Sequence, residues 1–420
     1  MRKIKKIFSF LGPGFITGAS DDDPSGIATY SQTGAIFGFA QAWTALFSFP
    51  LMAAVQEMCG RIGLVTGKGL AGVIRDNYPK KVLYFSVFLL LFANIVNIGA
   101  DLGAMAASAN LVFGIPFIIA LLLVVAISLA LEVFVSYKTY SKYLKYLTFA
   151  LLSYVLTSFV VKVDWGKVSS YTFVPHLEFS EKYILNLVAI LGTTISPYLF
   201  FWQADEEVEE EVSHHKLRRM GAGLPHVTPK DISRLRIDTI VGMFFSNIIM
   251  WFIIVTTGAT LFANGINNIE TAEEAALALK PLAGDFAFLL FALGIIGTGL
   301  LALPILAGSA SYAVSEAFGW KEGLFQKLKK AQGFYGVIII ATLLGLLINF
   351  IGINPISALY YTAVLNGIIA SPLIAIIIFI SNNKKIMGDR TNNFGLNVLG
   401  IFTLLMMSVA SLILFSTFIF

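Results

Sequence analysis

Long apolar segments recur along the whole 420-residue chain, and they constrain the fold more than any other feature. A segment of 18 or more apolar residues is long enough to cross the ~30 Å hydrocarbon core of a bilayer as a helix. Only helices satisfy their own backbone hydrogen bonds within a single apolar segment in lipid. Charged residues make up 13% of the chain, against about 25% in soluble domains. The sequence therefore predicts an all-α polytopic membrane protein that has the lipid bilayer as its solvent.

Eleven transmembrane helices are predicted. They cover residues 8–37, 41–66, 82–113, 115–136, 142–162, 183–211, 235–262, 284–316, 333–352, 356–380 and 394–418. The connections on one side of the predicted membrane contain 25 of the 29 Lys and Arg residues, and those on the other side contain Lys162, Lys167, Lys182 and Lys280. Basic residues concentrate in cytoplasmic loops. We therefore expect a multi-pass protein of the plasma membrane with a cytoplasmic N-terminus and an extracellular C-terminus. The basic N-terminus has no small-residue cleavage site after it, so we expect the first span to be retained.

The first span contains three consecutive aspartates, Asp21, Asp22 and Asp23, followed by Pro24 and Gly26. Each carboxylate at the centre of a membrane costs about 2.5–3.5 kcal/mol on insertion scales, so these groups should face a protein interior or a wet cavity. Proline removes a helical hydrogen bond and glycine tolerates non-helical backbone. The pattern predicts two half-helices joined by an unwound stretch. Successive helical side chains point about 100° apart, so Asp23, beside the break, is the preferred ligand, and contact of the other two with an ion stays open.

The sixth span contains a second polar patch with a proline. Its members are Gly192, Thr193, Thr194, Ile195, Ser196, Pro197 and Tyr198. The two breaks are five spans apart, so the two helices cross the membrane in opposite directions, as in an inverted repeat. We predict one transport domain over 1–420, with repeat one near 8–162, repeat two near 183–380 and an extra helix near 394–418. In carriers of this kind the two broken helices form the substrate site near the midplane.

The polar groups at the breaks favour a hard cation as the substrate. Carboxylate, hydroxyl and carbonyl oxygens suit Mg²⁺, Ca²⁺ or Mn²⁺. All four histidines lie in predicted loops and Cys59 is far from the breaks in sequence, which argues against a copper or zinc carrier. We interpret Cys59 as a packing residue. Asp23 as a helix cap at a kink, and Ser196 as a packing hydroxyl, are the structural alternatives.

An acidic run follows the second break. It comprises Asp205, Glu206, Glu207, Glu209, Glu210 and Glu211. Two interpretations are equally open: a funnel through which a cation leaves, or a solvated helix end balanced by Lys216, Arg218 and Arg219.

At the two breaks the chain resembles the Nramp family of divalent-metal transporters. The resemblance rests on Gly12-Pro13-Gly14-Phe15, Asp23-Pro24-Ser25-Gly26, Asp101-Leu102 in the third span and Pro197 in the sixth. It implies the inverted 5+5 repeat fold of the amino-acid/cation symporters (LeuT/APC-like), with helices 1 and 6 broken. It also implies a metal site formed by Asp23, the carbonyls of Ser20 and Thr193, and the lining residues Gly26 and Ser196. Asp22, Tyr198 and Asn366 are possible further lining residues.

The departures from the family pattern concern metal choice and proton movement. The family's Asp-Pro-Gly-Asn ends here in Gly26, and its Met-Pro-His becomes Ser196-Pro197-Tyr198, which removes the thioether. A family glutamate tied to proton movement aligns with Ala104, and the histidines of span six align with Tyr198 and Gln203, whereas Asp101 remains. This pattern resembles the Nramp-related magnesium transporters. The smaller residues would leave room for a partly hydrated ion, which Mg²⁺ prefers.

The primary hypothesis is therefore a carrier of Mg²⁺, also accepting Mn²⁺, that works by alternating access without proton coupling. Two charges moving through 100 mV gain about 4.6 kcal/mol, enough for accumulation. A proton-coupled Mn²⁺/Fe²⁺ transporter is the alternative. An amino-acid/cation symporter is disfavoured because the aspartates would repel a substrate carboxylate, and a channel because broken repeats indicate alternating access. No enzymatic motif is found, and we expect no cofactor, no nucleic-acid partner and no obligatory protein partner.

Overall fold

The computed structural model describes residues 12–135 and 147–419, and this part of the chain contains helices and no strand. The α-helices in chain order are α1 (Pro13–Asp21), α2 (Pro24–Phe37), α3 (Trp43–Thr66), α4 (Leu70–Asn77), α5 (Lys80–Phe113), α6 (Phe117–Phe134), α7 (Leu152–Val160), α8 (Trp165–Phe173), α9 (Glu181–Thr194), α10 (Pro197–Ser213), α11 (Pro229–Thr260), α12 (Ala272–Ala276), α13 (Lys280–Ala283), α14 (Ala287–Phe318), α15 (Gln332–Ile348), α16 (Pro355–Asn382), α17 (Lys384–Met387) and α18 (Phe394–Ile419).

Each of the eleven predicted spans coincides with a helix or a pair of helices. Within the described residues, seven helical segments are long and apolar enough to cross a membrane, and α15 and the segment Phe149–Val160 are shorter apolar helices. The two remaining spans are the first, which is broken, and α3, which carries the buried charges of Glu57 and Arg61. The first residues of spans one and five lie outside the described part. The predicted all-helical polytopic fold is confirmed.

Both predicted breaks are present, and each has the same local cause. The first span stops at Asp21 and resumes at Pro24, and the sixth stops at Thr194 and resumes at Pro197. A proline fits the first turn of a helix because its missing N–H would lack an intrahelical partner there. Asp23 and Ser196 therefore occupy equivalent N-cap positions with extended backbone.

Close backbone contacts hold both broken spans in place. A Cβ on Gly18 of α1 would lie 2.3 Å from the carbonyl carbon of Gly242 on α11, and one on Gly192 of α9 would lie 1.9 Å from the carbonyl oxygen of Ala363 on α16. Small residues let membrane helices approach this closely, where van der Waals contact drives association. The first broken span is therefore fixed against α11, a helix of the other predicted repeat. The second is fixed against α16, a helix of its own predicted repeat.

The N-terminus of α1 is anchored by a carboxylate from α11. Asp238 accepts hydrogen bonds from the backbone N–H groups of Gly12, at 2.8 Å, and Gly14, at 2.7 Å. A negative charge at this position satisfies free backbone donors and complements the positive end of the helix. The first half-helix is thereby held by α11 at its start and along its length.

Candidate metal site at the two breaks

The unwound stretches of the two broken spans meet inside the protein. The hydroxyl oxygens of Ser25, after the first break, and Thr193, before the second, are 3.5 Å apart. The Tyr198 hydroxyl, in the first turn of α10, donates to the carbonyl oxygen of Ser20 at 3.2 Å. A Cβ on Gly26 would lie 3.1 Å from the Asp21 carbonyl oxygen and 3.3 Å from Thr193 Oγ1. The polar backbone of both breaks therefore surrounds one small volume.

Asp23 is the charged group in this volume, and it is 1% exposed. Its Oδ1 accepts hydrogen bonds from the Ser25 hydroxyl at 2.6 Å and the Gly26 N–H at 2.8 Å. Its Oδ2 accepts longer bonds from Asn97 Nδ2 at 3.2 Å and the Tyr198 hydroxyl at 3.3 Å. A carboxylate offers about four lone-pair positions, so a cation has to displace a donor. The two long bonds make Oδ2 the oxygen that a cation would reach first.

Thr193 and Ser196 are both buried at the second break, but their hydroxyl groups have different partners. The Ser196 hydroxyl donates to the carbonyl oxygens of Gly192 and Thr193, both at 2.8 Å. It therefore points back along α9 and closes the last turn of that helix, whereas Thr193 Oγ1 faces the first break. The structure brings Asp23, Ser20, Gly26 and Thr193 together. Ser196 also lies at the break, but its hydroxyl is bonded to backbone carbonyls of its own span.

Asp21 and Asp22 face a different neighbour. Ser246 of α11 donates its hydroxyl to Asp21 Oδ2 at 2.6 Å and is 3.3 Å from Asp22 Oδ1. The three consecutive carboxylates are thus divided between two environments, as the 100° helical spacing predicts. Of the three carboxylates, Asp23 alone has a hydrogen bond to a residue of the second break within the described ranges.

The positions linked by the resemblance to proton movement lie on two helices, α5 and α10. Asp101 and Ala104 are buried in α5, and neither oxygen of Asp101 has a hydrogen-bond partner among the described residues. Asp101 lies one helical turn beyond Asn97, which binds Asp23. Gln203 lies away from the break, where it donates to Glu207 at 3.0 Å.

Asn366 is buried in α16, the helix that packs against Gly192 near the second break. Its amide nitrogen has no hydrogen-bond partner among the described residues. An unpartnered buried amide is unusual, because burial without a hydrogen bond costs free energy.

Two residues of the site were not identified from the sequence. Ser25 and Asn97 both donate to Asp23. Asn97 had a detectable signal, since it is an amide in an apolar helix four residues before Asp101 and therefore on the same face. Ser25 follows the helix-breaking proline directly, where a hydroxyl can reach an N-cap carboxylate.

The donor set around Asp23 consists of oxygen and amide groups. The described residues contain no group of three or more His, Cys, Asp and Glu side chains arranged to hold a metal ion. The arrangement offers a single carboxylate with hydroxyl and carbonyl oxygens from both breaks. Such a set suits a hard cation that keeps part of its water shell.

Comparison with known sequences extends over almost the entire chain. The family described as natural resistance-associated macrophage protein-like, Nramp, matches residues 14–417. The divalent metal cation transporter MntH of Bacillus subtilis is 27% identical over 401 residues, covering 93% of this chain and 88% of that protein. MntH of Yersinia pestis is 26% identical over 414 residues, covering 95% of this chain and 92% of that protein. Both relatives are named as transporters and neither as an enzyme.

Solved structures share the fold at low sequence identity. A manganese transporter from Eremococcus coleocola superposes with a TM-score of 0.77 at 14% identity, covering 97% of this chain and 86% of that one. Mhp1, a nucleobase-cation-symport-1 family transporter in a closed conformation, gives a TM-score of 0.58 at 12% identity, with 97% and 93% covered. These similarities confirm the expected transporter fold, but they do not identify the cargo.

Proposed function

The chain belongs to the Nramp family and is a divalent metal cation transporter, and we propose that its preferred cargo is Mg²⁺, with Mn²⁺ also accepted. The relatives are named for divalent metals in general, and the similar solved structure for manganese. The preference for Mg²⁺ therefore rests on this chain's own residues. The metal is the cargo, and the proposal requires no resident cofactor.

One observation carries the choice of cargo: among the described residues, every side chain that donates a hydrogen bond to the Asp23 carboxylate does so through a hydroxyl or an amide group. Ser25, Asn97 and Tyr198 supply these groups, without sulfur or imidazole. Thioether and imidazole ligands favour transition metals, whereas oxygen ligands suit Mg²⁺ and Mn²⁺. Mg²⁺ is usually bound through one or two carboxylates while it keeps several waters, and Asp23 is one carboxylate.

The transport step we propose is alternating access without proton coupling. An ion displaces the Asn97 and Tyr198 donors from Asp23 Oδ2 and takes the carbonyl oxygens of Ser20 and Thr193 as further ligands. Opening toward the other side then releases it. A membrane potential of 100 mV, negative inside, supplies about 4.6 kcal/mol for a divalent ion, so no second ion is needed for uptake.

A proton-coupled Mn²⁺ transporter is the second candidate, and Asp101 favours it. This carboxylate is fully buried without a hydrogen-bond partner among the described residues, one turn from Asn97. A group of that kind in a membrane helix is a candidate for proton transfer. The names of the relatives fit this candidate at least as well as a magnesium carrier.

We further propose the membrane arrangement expected from the sequence. The protein would lie in the plasma membrane with its N-terminus in the cytoplasm and its C-terminus outside. Residues 8–162 and 183–380 would form the two inverted repeats, and 394–418 an extra helix. The equivalent N-cap positions of Asp23 and Ser196 support this internal symmetry.

Uptake by proteoliposomes distinguishes the two candidates. Purified protein is reconstituted at a fixed inside-negative potential, and Mg²⁺ and Mn²⁺ influx is recorded together with an internal pH dye. The proposal predicts influx of both ions without acidification, and loss of both in Asp23→Asn. Acidification that follows Mn²⁺ influx, with no Mg²⁺ influx, would establish the proton-coupled candidate instead.

A further inference from the structure

Several carboxylates of the acidic run after the second break have partners, whereas both oxygens of Asp205 and Oε1 of Glu206 have none among the described residues. Glu210 pairs with Arg234 at 2.8 Å and Glu211 with Lys216 at 2.9 Å. Glu209 accepts hydrogen bonds from the Tyr312 hydroxyl and the N–H of Leu324. These contacts agree with a structural role at a helix end. Asp205 does not follow this pattern.

Asp205 is buried, and its carboxylate has no hydrogen-bond partner within the described part of the chain. Its side chain is 0% exposed, and neither oxygen has a hydrogen-bond partner among the described residues. It reaches its position because Gly69 has no side chain: a Cβ there would lie 1.8 Å from Asp205 Oδ1. Burying a charge without a partner costs free energy, so such a group ordinarily binds a counter-ion or takes up a proton.

A second buried carboxylate adjoins Asp205. Glu316 of α14 accepts hydrogen bonds from the N–H groups of Gly69 at 2.6 Å and Gly72 at 2.7 Å, at the start of α4. The same Cβ on Gly69 would lie 2.7 Å from Glu316 Oε2. Asp205 Oδ1 and Glu316 Oε2 thus both lie close to this one Cβ position. The distance between the two oxygens cannot exceed the sum of 1.8 Å and 2.7 Å. Two carboxylates at this separation can share one cation.

The basic side chains that flank Gly69 and Gly72 in sequence, Lys68 and Arg75, have other partners. Lys68 pairs with Asp76 at 2.5 Å. Arg75 pairs with Asp76 at 3.0 Å and donates to the main-chain carbonyl of Glu316 rather than to its carboxylate. Among the described residues, no basic side chain is therefore paired with the carboxylate of Asp205 or of Glu316.

Asp205 lies on the same face of α10 as Tyr198, which borders the central site. Tyr198, whose hydroxyl contacts Asp23, precedes Asp205 by seven residues, or almost two helical turns. Side chains at this spacing project in nearly the same direction, about 10 Å apart along the helix. Trp202 lies between them and packs edge-on against Tyr312 of α14. An ion that leaves Asp23 along this face would meet Trp202 and then Asp205.

We propose that Asp205 and Glu316 bind a partly hydrated divalent cation at an inner site, which the ion occupies after it leaves Asp23. This inference rests on the proposed function, because the cargo is the cation concerned. Two carboxylates with waters completing the shell form a common Mg²⁺ environment. The inner site lies beside α4 and the basic connections, on the side expected to be cytoplasmic, where it would receive the ion before release.

The number of Mn²⁺ ions bound by the full-length purified protein tests the inner site. The electron paramagnetic resonance signal of free Mn²⁺ reports the bound number during a titration in detergent. Wild type should bind two ions per chain, Asp205→Asn one, Asp23→Asn one, and the double variant none. Glu207→Gln is the matched control, because Glu207 is a buried carboxylate on the opposite side of α10 and is bonded to Gln203; it should bind two.

The possible results separate the inner site from the central one. Two bound ions in Asp205→Asn would overturn the inner site. The buried Asp205 carboxylate would then be neutralised by a proton rather than by a cation. A single ion in wild type that is lost in Asp23→Asn would overturn it too, while supporting the central site. An ion lost only with Asp205 would support the inner site and contradict the proposed role of Asp23. If Asp205→Asn does not yield monodisperse protein, Glu316→Gln gives the same readout and should also bind one ion.

Discussion

The two broken spans interrupt the helix in the same way, but the side chains at the two breaks differ in chemistry. Both resume at a proline, and both place a polar residue at the N-cap. Asp23 turns its carboxylate forward onto Ser25 and Gly26 of the helix that follows. Ser196 turns its hydroxyl backward onto carbonyls of the helix that precedes it.

This difference assigns different tasks to the two halves of the site. The first break supplies a negative charge, and the second supplies neutral oxygens and a rigid turn. One charge attracts a divalent cation without neutralising it, so a partly hydrated ion can still be released. Exchanging or removing groups at the two breaks should therefore have unequal effects.

The largest effect is expected from Asp23→Asn. Asparagine caps helices as well as aspartate does, so the bond to Gly26 should persist while the charge disappears. Removing one partner of a buried charge pair costs about 3–5 kcal/mol, which corresponds to a loss of Mg²⁺ and Mn²⁺ uptake of ~100-fold or more in proteoliposomes. A variant that retains its folding and more than a tenth of wild-type uptake would show that the charge at the first break does not bind the cargo.

A smaller effect is expected from Gly26→Ala, which adds one methyl group between the breaks. Its Cβ would lie 3.1 Å from the Asp21 carbonyl oxygen and 3.3 Å from Thr193 Oγ1. Overpacking of this kind costs about 1–3 kcal/mol, so uptake should fall by ~10-fold, and more for Mg²⁺ than for Mn²⁺ because Mg²⁺ keeps its water.

Gly336→Ala is the matched control for this change, because a Cβ at Gly336 meets no atom within 4 Å. The ratio of Mg²⁺ to Mn²⁺ uptake should stay at the wild-type value in that control. An unchanged ratio in Gly26→Ala would mean that space at the first break does not select the cargo.

Tyr198→Phe should tighten Mn²⁺ binding, by up to ~5-fold. The hydroxyl donates to both Ser20 and Asp23, two proposed ligands, and it must turn away before a cation binds. The bonds are long, and a net contribution of about 1 kcal/mol sets the size of the effect. Titration calorimetry of Tyr198→Phe against Tyr335→Phe, which loses a hydroxyl bond to Gln326 instead, measures it. Weaker binding in Tyr198→Phe would make the hydroxyl a ligand rather than a competitor.

The smallest effect on transport is expected from Ser196→Ala. Its hydroxyl is bonded within its own span, so uptake should stay within ~2-fold of wild type while thermal stability decreases by the equivalent of about 1 kcal/mol. Ser25→Ala is the informative partner, because it removes a 2.6 Å bond to Asp23 and should reduce uptake more than Ser196→Ala does. The reverse order would contradict the division of tasks between the breaks.

The sequence was sufficient for the helices and for both breaks. Long apolar segments and proline beside polar residues act locally, and they located α1, α2, α9 and α10 to within a few residues. The short helices α4, α8, α12, α13 and α17 in the connections were not predicted, because nine residues or fewer give little periodic signal.

Side-chain direction was the part of the site that sequence reasoning could not supply. The spacing of Asp21, Asp22 and Asp23 showed that they diverge, but only the packing of α11 placed Ser246 beside the first two. The approach of Asn97 to Asp23 depends on a contact between helices that are distant in sequence, and the Ser196 hydroxyl turns to carbonyls of its own span rather than toward the first break. The lack of a partner for Asp205 required the same knowledge, since its neighbours come from α4 and α14.

The position of a bound ion would show directly whether Asp23 holds the cargo. Crystals of the full-length protein grown with Mn²⁺ can be measured at a wavelength where manganese scatters anomalously. We expect a peak within coordination distance, about 2.0–2.6 Å for hard cations, of Asp23 Oδ2, beside the carbonyl oxygens of Ser20 and Thr193. A peak at Ser246, between Asp21 and Asp22 and away from Asp23, would contradict it.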